Sequence, residues 1–154
     1  AGIEVVAAGL EEGPITASRG VRLLPDMLLD EALIMDYDMV ALPGGLPGSD
    51  HLGNDTRVTG LLRAMNESGR FVGAVCAAPK VLARNGLLDG KRATAFPGVL
   101  QAEQHPDITG DPVTRDGTVI TSRSVGTVMD FALAMIEALQ GREKREQIES
   151  SLER

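Results

Sequence analysis

The sequence predicts an α/β domain built on a mainly parallel sheet. Short apolar or β-branched runs, which are typical of strands, alternate along the chain with segments of helical periodicity. Junctions rich in glycine and other small residues follow three of these runs, and a hairpin signal stands in the carboxyl-terminal half. The predicted strands are residues 3–8, 39–42, 71–75, 93–96 and 119–122.

Helical patterns separate several of these runs. Residues 56–68 place four apolar side chains on one helical face, and Asn54 or Asp55 precedes them as an N-cap. A second helix is predicted at residues 77–84, where Asn-Gly ends the pattern. A third is predicted at residues 126–141 and continues into the charged tail.

A β-hairpin adds an antiparallel pair to the predicted sheet. In "PVTRDGTVITS", residues 112–122, two β-branched runs flank Asp116 and Gly117. Asp-Gly at the centre of such a pattern is typical of a two-residue type I′ turn, because both central positions need a positive φ.

Composition and charge restrict the function classes. The 154 residues are 43% hydrophobic and 24% charged, which is typical of one globular domain spanning residues 1–154. A formal net charge of −7 argues against nucleic acid or an anionic membrane as a partner. No apolar run reaches the roughly 18 residues that span a bilayer. One cysteine and two histidines without close spacing argue against a metal site, and a single thiol suits a reducing cytoplasm.

The single cysteine, Cys76, lies where a predicted strand meets a predicted helix. A sharp turn there would present the thiol as in a nucleophile elbow, with Ala74 and Ala78 as the small residues two positions to either side. The unpaired N–H groups at the start of a helix favour the thiolate form. The alternative is a small buried apolar side chain, which is common for a free cysteine.

A Pro-Gly-Gly loop follows the predicted strand at residues 39–42. In "ALPGGLPGS", Gly44 and Gly45 permit a tight turn in which backbone amides face an anionic oxygen, as in an oxyanion hole. The alternative is an ordinary turn that ends a strand. Because ligand sites lie beyond the carboxyl ends of parallel strands, this loop, "VCAAP" and "TSRSVGT" are expected to form one cleft around Cys76.

Three segments together resemble the ThiJ/PfpI superfamily, and its DJ-one-like branch in particular. They are "DYDMVALPGGLPGSDHLGND", "VGAVCAAPKVLARNGLLDGKRATAFPG" and "DGTVITSRSVGTVMDFALAMIEALQGREK", and the likeness extends from Ala1 to about Lys144. The resemblance implies a flavodoxin-like, doubly wound sandwich that forms homodimers.

The resemblance also implies roles for particular residues. Cys76 matches the family's oxidation-sensitive nucleophile, and the backbone amides of Gly44, Gly45 and Ala77 match its oxyanion donors. Arg19, in "ASRGV", matches the arginine that reaches the partner subunit's pocket as an anion contact.

Family members act as cofactor-independent glyoxalases on methylglyoxal, as deglycases, or as redox and stress-protective proteins. We therefore expect a cysteine-dependent enzyme that detoxifies methylglyoxal or glyoxal without a cofactor. Two alternatives stay open. One is an oxidative-stress sensor or chaperone in which Cys76 is oxidised without turnover, and the other is a PfpI-like cysteine peptidase, which needs a Cys–His pair.

Two features depart from the family pattern. The family's protonated glutamate, which hydrogen-bonds the cysteine, matches no residue here and is expected upstream of Ala1, so the domain 1–154 is expected to be truncated at its amino terminus. The family's Gly-Pro after "TSR" is Ser124-Val125 in this chain. His105, in "LQAEQHPDITGDP", is the candidate for proton transfer near neutral pH, with a solvated loop histidine as the alternative.

Overall fold

The structure, a computed structural model, describes residues 1–102, 104–105 and 107–153. Within these residues the chain forms eight short strands, which connect through helices and turns. In chain order the strands are β1 Ala8–Gly9, β2 Ile15–Thr16, β3 Arg22–Leu23, β4 Met27–Leu28, β5 Met39–Leu42, β6 Phe71–Val75, β7 Val113–Asp116 and β8 Val119–Ser122.

The described helices fall into two groups, which flank the strands of the main sheet. The first group lies between β4 and β7, and the second follows β8 after a 3-10 turn at Val125–Thr127. The helices are α1 Leu29–Ala32, α2 Gly48–Asn54, α3 Thr56–Glu67, α4 Pro79–Arg84, α5 Val128–Gln140 and α6 Arg142–Ser151.

The main sheet has four strands in the order β5-β6-β8-β7. Strands β5, β6 and β8 run parallel, and β7 pairs antiparallel with β8. Two ribbons lie apart from it: β1 pairs parallel with β4, and β2 pairs antiparallel with β3. The parallel strands end at a common edge, which places the loops after β5, β6 and β8 side by side.

Helices cover both faces of this sheet. Successive side chains of β6 alternate between faces: Val72 and Ala74 are buried in the apolar core to which α3 and α4 contribute. Gly73 faces α5, since a Cβ at that position would lie 3.0 Å from the ring of Phe131. This layered arrangement confirms the predicted α/β class with a mainly parallel sheet.

Helix α3 shows how local signals and packing agree. The side chain of Asp55 accepts a hydrogen bond of 2.8 Å from the N–H of Arg57, which caps the helix. On the apolar face, Leu62 and Met65 are buried, and each such side chain stabilises the fold by about 1.5–3 kcal/mol. The helix predicted at residues 56–68 is confirmed to within one residue.

Two of the predicted strands are wrong. Of residues 3–8, only Ala8 belongs to a strand, and residues 93–96 contribute only an isolated bridge between Ala93 and Ile108. β-branched and apolar residues form a strand only where a neighbouring segment of the chain completes the hydrogen-bond ladder. The strands at 39–42, 71–75 and 119–122 have that neighbour and are confirmed.

The carboxyl-terminal helix also differs from the prediction. It begins at Val128, after the 3-10 turn, and ends at Gln140. Gly141 has φ +88°, which breaks the helix. The charged tail therefore forms a separate helix, α6, which turns back along α5 so that Arg145 lies 3.6 Å from the carboxylate of Glu137.

The predicted hairpin is present but closes through a different turn. Asp116 pairs with Val119, so the two loop residues are Gly117 and Thr118. Gly117 has φ +60°, whereas φ of Thr118 is not positive. A positive φ at the first loop position alone is the pattern of a type II′ turn rather than type I′.

Candidate active site

Cys76 forms a tight corner directly after β6. Its backbone has φ +63°, a left-handed conformation that is rare for a residue with a side chain. Its N–H donates to the carbonyl of Ser122 and its own carbonyl accepts from the N–H of Phe96, both at 2.9 Å. The corner is thus fixed from both sides, and the side chain of Cys76 is left half-buried.

Small residues surround this corner, as the elbow prediction required. Ala74 and Ala78 are fully buried. The N–H of Ala78 donates to the carbonyl of Val75 at 3.1 Å, which closes the turn. Helix α4 starts at Pro79 rather than at residue 77, so Ala77 stays in the turn between the left-handed Cys76 and the N-cap residue Ala78. The left-handed conformation of Cys76 stores roughly 1–3 kcal/mol of strain.

The Pro-Gly-Gly loop lies directly on this corner. A Cβ built on Gly44 would stand 2.6 Å from the Cβ of Cys76, 2.7 Å from the carbonyl oxygen of Val75 and 3.3 Å from the nitrogen of Ala77. No side chain fits there, which explains why glycine occupies position 44. The loop after β5 and the corner after β6 therefore belong to one site.

Three backbone donors in the two loops at Cys76 are unused. In the part of the chain that the structure describes, the N–H groups of Gly44, Gly45 and Ala77 donate to no acceptor. Ala77 is buried, and a buried backbone N–H is nearly always paired, so this unused donor next to a cysteine is available to a ligand. Gly45 has φ +87°, which turns this peptide away from the strand direction of β5.

The turn between β2 and β3 reaches the same loop. A Cβ on Gly45 would lie 3.1 Å from the hydroxyl oxygen of Ser18. Arg19, the next residue, is exposed and makes no hydrogen bond or ion pair with any described residue. The guanidinium of Arg19 is therefore available at the rim of the site, although the structure places no described contact between it and Cys76.

An ion pair joins the helices that follow the two loops. The ammonium of Lys80 in α4 lies 2.7 Å from the carboxylate of Asp50 in α2. This hydrogen bond from Lys80 holds the pKa of Asp50 below its usual value. The neighbouring N–H of Ser49 donates to the carbonyl of Gly45 at 2.9 Å. These contacts fix the Pro-Gly-Gly loop relative to the cysteine corner, and the sequence analysis did not identify them.

The histidines do not join this cluster. Among the described residues, no hydrogen bond or ion pair connects Cys76 with His105, and His51 is exposed on α2. Ala93 and Ile108 form a parallel bridge, in which both chains advance in the same direction. His105 precedes Ile108 by three residues, whereas Phe96 follows Ala93 by three residues. The two residues therefore lie beyond opposite ends of this bridge.

Phe96 is a site residue that sequence reasoning missed. Residues 93–96 were predicted to be a strand, but Phe96 instead lies in the loop that hydrogen-bonds Cys76. The N–H of Thr94 donates to the hydroxyl of Thr121 in β8 at 2.9 Å, which ties this segment to the sheet. The Pro-Gly that follows Phe96 was the one sequence signal for a turn here.

Residues 1–102, 104–105 and 107–153 contain neither a candidate metal cluster nor a helix that could span a membrane. No group of three or more His, Cys, Asp or Glu side chains in these ranges could hold a metal ion. None of the helices in the same ranges combines the length and apolar character needed to cross a bilayer.

Comparison with known proteins identifies what this chain is similar to. Residues 1–138 match the DJ-1/PfpI family. Protein dj-1beta of Drosophila melanogaster is 39% identical over 155 residues, which cover 99% of this chain and 83% of that protein. A protein of Caenorhabditis elegans named glutathione-independent glyoxalase DJR-1.2 is 34% identical over 145 residues, covering 93% of this chain and 77% of the relative.

Solved structures give the same match. The structure of oxidized DJ-1 from Toxoplasma gondii superposes with a TM-score of 0.89 at 31% sequence identity, covering 97% of this chain and 82% of the other. The overall fold is therefore shared with a protein of known structure.

Proposed function

Because this chain belongs to the DJ-1/PfpI family, we propose that it is a cysteine-dependent enzyme that converts methylglyoxal or glyoxal to the corresponding hydroxy acid. The observation that carries the proposal is the set of unused N–H donors of Gly45 and Ala77 beside the half-buried Cys76. The glyoxalase name of the nematode relative supports it.

The first step is addition of the thiolate to the aldehyde. The sulfur of Cys76 forms a bond to the aldehyde carbon while the π electron pair of that carbonyl moves onto its oxygen. The resulting oxyanion accepts hydrogen bonds from Gly45 and Ala77, with Gly44 leaving room for it. Donors that are fixed before the reaction stabilise such charge without reorganisation, and removing one donor typically costs about 10²–10³-fold in rate.

Two proton movements and one hydrolysis complete the reaction. The proton on the aldehyde carbon leaves, an enediolate forms, and a proton returns to the neighbouring carbon to give a thioester on Cys76. Water then adds to the thioester carbon and the carbon–sulfur bond breaks, which regenerates the thiolate. In sum, one methylglyoxal and one water give one lactate and one proton, and glyoxal gives glycolate in the same way.

The mechanism also needs a proton carrier. His105 stays the candidate that the sequence names, because imidazole exchanges protons near neutral pH. Since no described contact brings His105 to Cys76, we assign the exchange to solvent water that enters the half-exposed site. A positioned acid–base group contributes about 10²–10⁴-fold, so turnover that relies on solvent water for proton exchange is expected to be slow.

We also propose that the β2–β3 ribbon packs against a second copy of the chain. Its residues leave an apolar surface that a monomer would have to expose to water: Ile15, Val21, Leu23 and Leu24 are exposed. Arg19 lies in the turn of this ribbon and would reach the partner's site as an anion contact. Leu23→Glu should shift the sedimentation-equilibrium mass from two chains to one, whereas an unchanged mass would contradict the homodimer.

The central test is lactate formation from methylglyoxal by the protein and by Cys76→Ser. Loss of the nucleophile should lower kcat/KM by at least about a thousandfold, with an unchanged circular dichroism spectrum as the control for folding. Equal activity in both proteins would reject the enzyme. If neither forms lactate but dilute hydrogen peroxide adds two oxygens to Cys76, the redox-sensor alternative replaces it.

A further inference from the structure

Two loops that contact Cys76, and the loop that follows β8, each carry a large apolar side chain that is exposed. Leu46 in the Pro-Gly-Gly loop is 56% exposed, Phe96 is 49% exposed, and Val125 after β8 is 85% exposed. We call these three side chains the apolar rim. A single exposed apolar side chain is ordinary, but three on the loops that meet at one nucleophile call for a specific explanation.

The rim is tied to the thiol by short connections. Phe96 donates its N–H to the carbonyl of Cys76. Leu46 directly follows Gly45, and Val125 follows Ser122, which accepts the N–H of Cys76, by three residues. Since each residue spans at most about 3.6 Å, Val125 lies within roughly 11 Å of that hydrogen bond. By the same measure Leu46 lies within roughly 7 Å of Gly44, which contacts Cys76.

We propose that Phe96 is the specificity-determining residue of this site, and that the apolar rim selects α-oxoaldehydes whose keto carbon carries an alkyl or aryl group. This inference rests on the proposed function, because it assumes that an aldehyde carbon reaches Cys76. While the aldehyde carbon binds sulfur, the substituent on the neighbouring carbon points towards solvent, where the rim covers it. Glyoxal has only hydrogen at that position and gains nothing from the contact.

The size of the effect follows from ring contacts. A partly exposed aromatic contact is expected to change binding about 3- to 10-fold, less than a closed apolar pocket would give. Leucine at position 96 keeps an apolar surface but loses the flat ring. Phe96→Leu should therefore retain part of the preference that Phe96→Ala loses.

The test measures protection of Cys76 from alkylation, which does not require turnover. Because Cys76 is the only cysteine, iodoacetamide labelling followed by mass spectrometry reports on this thiol alone. The half-protecting concentrations of glyoxal and phenylglyoxal are measured for the unmodified chain, Phe96→Ala, Phe96→Leu and the control Ile34→Ala. Ile34 is 88% exposed on the turn after α1. The ratio of the two concentrations is compared between variants, because the intrinsic reactivities of the two aldehydes are the same for every variant and cancel in that comparison.

Phe96→Ala should move the ratio towards glyoxal by about 3- to 10-fold, Phe96→Leu by less, and Ile34→Ala not at all. An unchanged ratio in Phe96→Ala, or an equal change in Ile34→Ala, would overturn the inference. Should Phe96→Ala fail to fold, Phe96→Leu is compared with the unmodified chain instead, and an unchanged ratio in that variant would overturn the inference. The proposed function fails differently, when Cys76→Ser still forms lactate, and that result leaves the protection ratio unaffected.

Discussion

Gly44 and Cys76 are in contact across two loops, at a distance that leaves no space for a Cβ on residue 44. That atom would stand 2.6 Å from the Cβ of Cys76 and 2.7 Å from a backbone oxygen. The corner after β6 and the Pro-Gly-Gly loop are therefore positioned by each other, and a change in one must displace the other.

Gly44→Ala should lower both stability and activity. The inserted methyl group forces the two loops apart, at a cost of about 1–3 kcal/mol, and moves the amide donors away from the thiol. Urea unfolding and lactate formation measure the two effects. Gly48→Ala is the matched control, because a Cβ at position 48 meets no atom within 4 Å. If Gly44→Ala behaves like Gly48→Ala, the close packing described for this site is wrong.

Replacing Cys76 by glycine should give a more stable protein than replacing it by alanine. At φ +63°, alanine keeps the strain of a left-handed residue and glycine does not, a difference of about 1 kcal/mol. The midpoints of urea unfolding of the two variants measure it. Position 78 provides the opposite case, since Ala78 has φ −72° and Ala78→Gly should be destabilising. The same sign at both positions would contradict the strained corner.

The Asp50–Lys80 pair should stabilise the fold at neutral pH and lose its effect in acid. The folded-state pKa of Asp50 is lowered by the hydrogen bond from Lys80. Its contribution is thus complete above the unfolded value of about 3.9 and disappears as the pH falls through the lower folded value. Asp50→Asn should be less stable than the unmodified chain at pH 7, and the gap should shrink towards pH 3.

Asp89→Asn serves as the comparison for that titration. The side chain of Asp89 is exposed and makes no hydrogen bond with a described residue, so Asp89→Asn shows the effect of removing a carboxylate that has no ion pair. A stability gap for Asp50→Asn that is the same at pH 7 and at pH 3 would show that the ion pair does not contribute to folding.

Since no described contact brings His105 to Cys76, His105→Gln should reduce methylglyoxal turnover by less than about threefold, whereas a group that touches the reacting atoms contributes about 10²–10⁴-fold. His105 and Phe96 lie beyond opposite ends of the parallel bridge between Ala93 and Ile108. His51→Gln, on exposed α2, gives the reference for a histidine outside the site. A loss of a hundredfold or more would place His105 beside Cys76 after all.

Several strands and helices could be predicted from local sequence patterns, because the apolar residues in those patterns are the ones that the fold buries. The strand that ends before Cys76 and the helix that buries Leu62 combine a continuous apolar or periodic run with clear end signals. The strand expected at residues 3–8 lacks a ladder partner over most of its length. The pattern of residue types within one segment does not show whether another strand lies beside it. The break at Gly141 was overlooked because a charged, strongly helical sequence follows it.

The site was predictable to the extent that it is local. The corner at Cys76 and the tight loop at Gly44 and Gly45 could be predicted because the residue types at these positions favour such turns. The position of Phe96 depends on where a long loop returns to the sheet, and the Asp50–Lys80 pair depends on the angle between two helices. Neither is encoded within a short window of sequence.

The sheet order has a consequence for how the protein would lose activity on heating. Strands β6 and β8 each have a neighbour on both sides, and the amide of Cys76 extends the β6–β8 ladder to Ser122. Amides in such interior strands exchange with deuterium only when the whole molecule opens. Cys76 is therefore anchored to the part of the chain that should open last, and loss of the proposed activity on heating should coincide with global melting instead of preceding it.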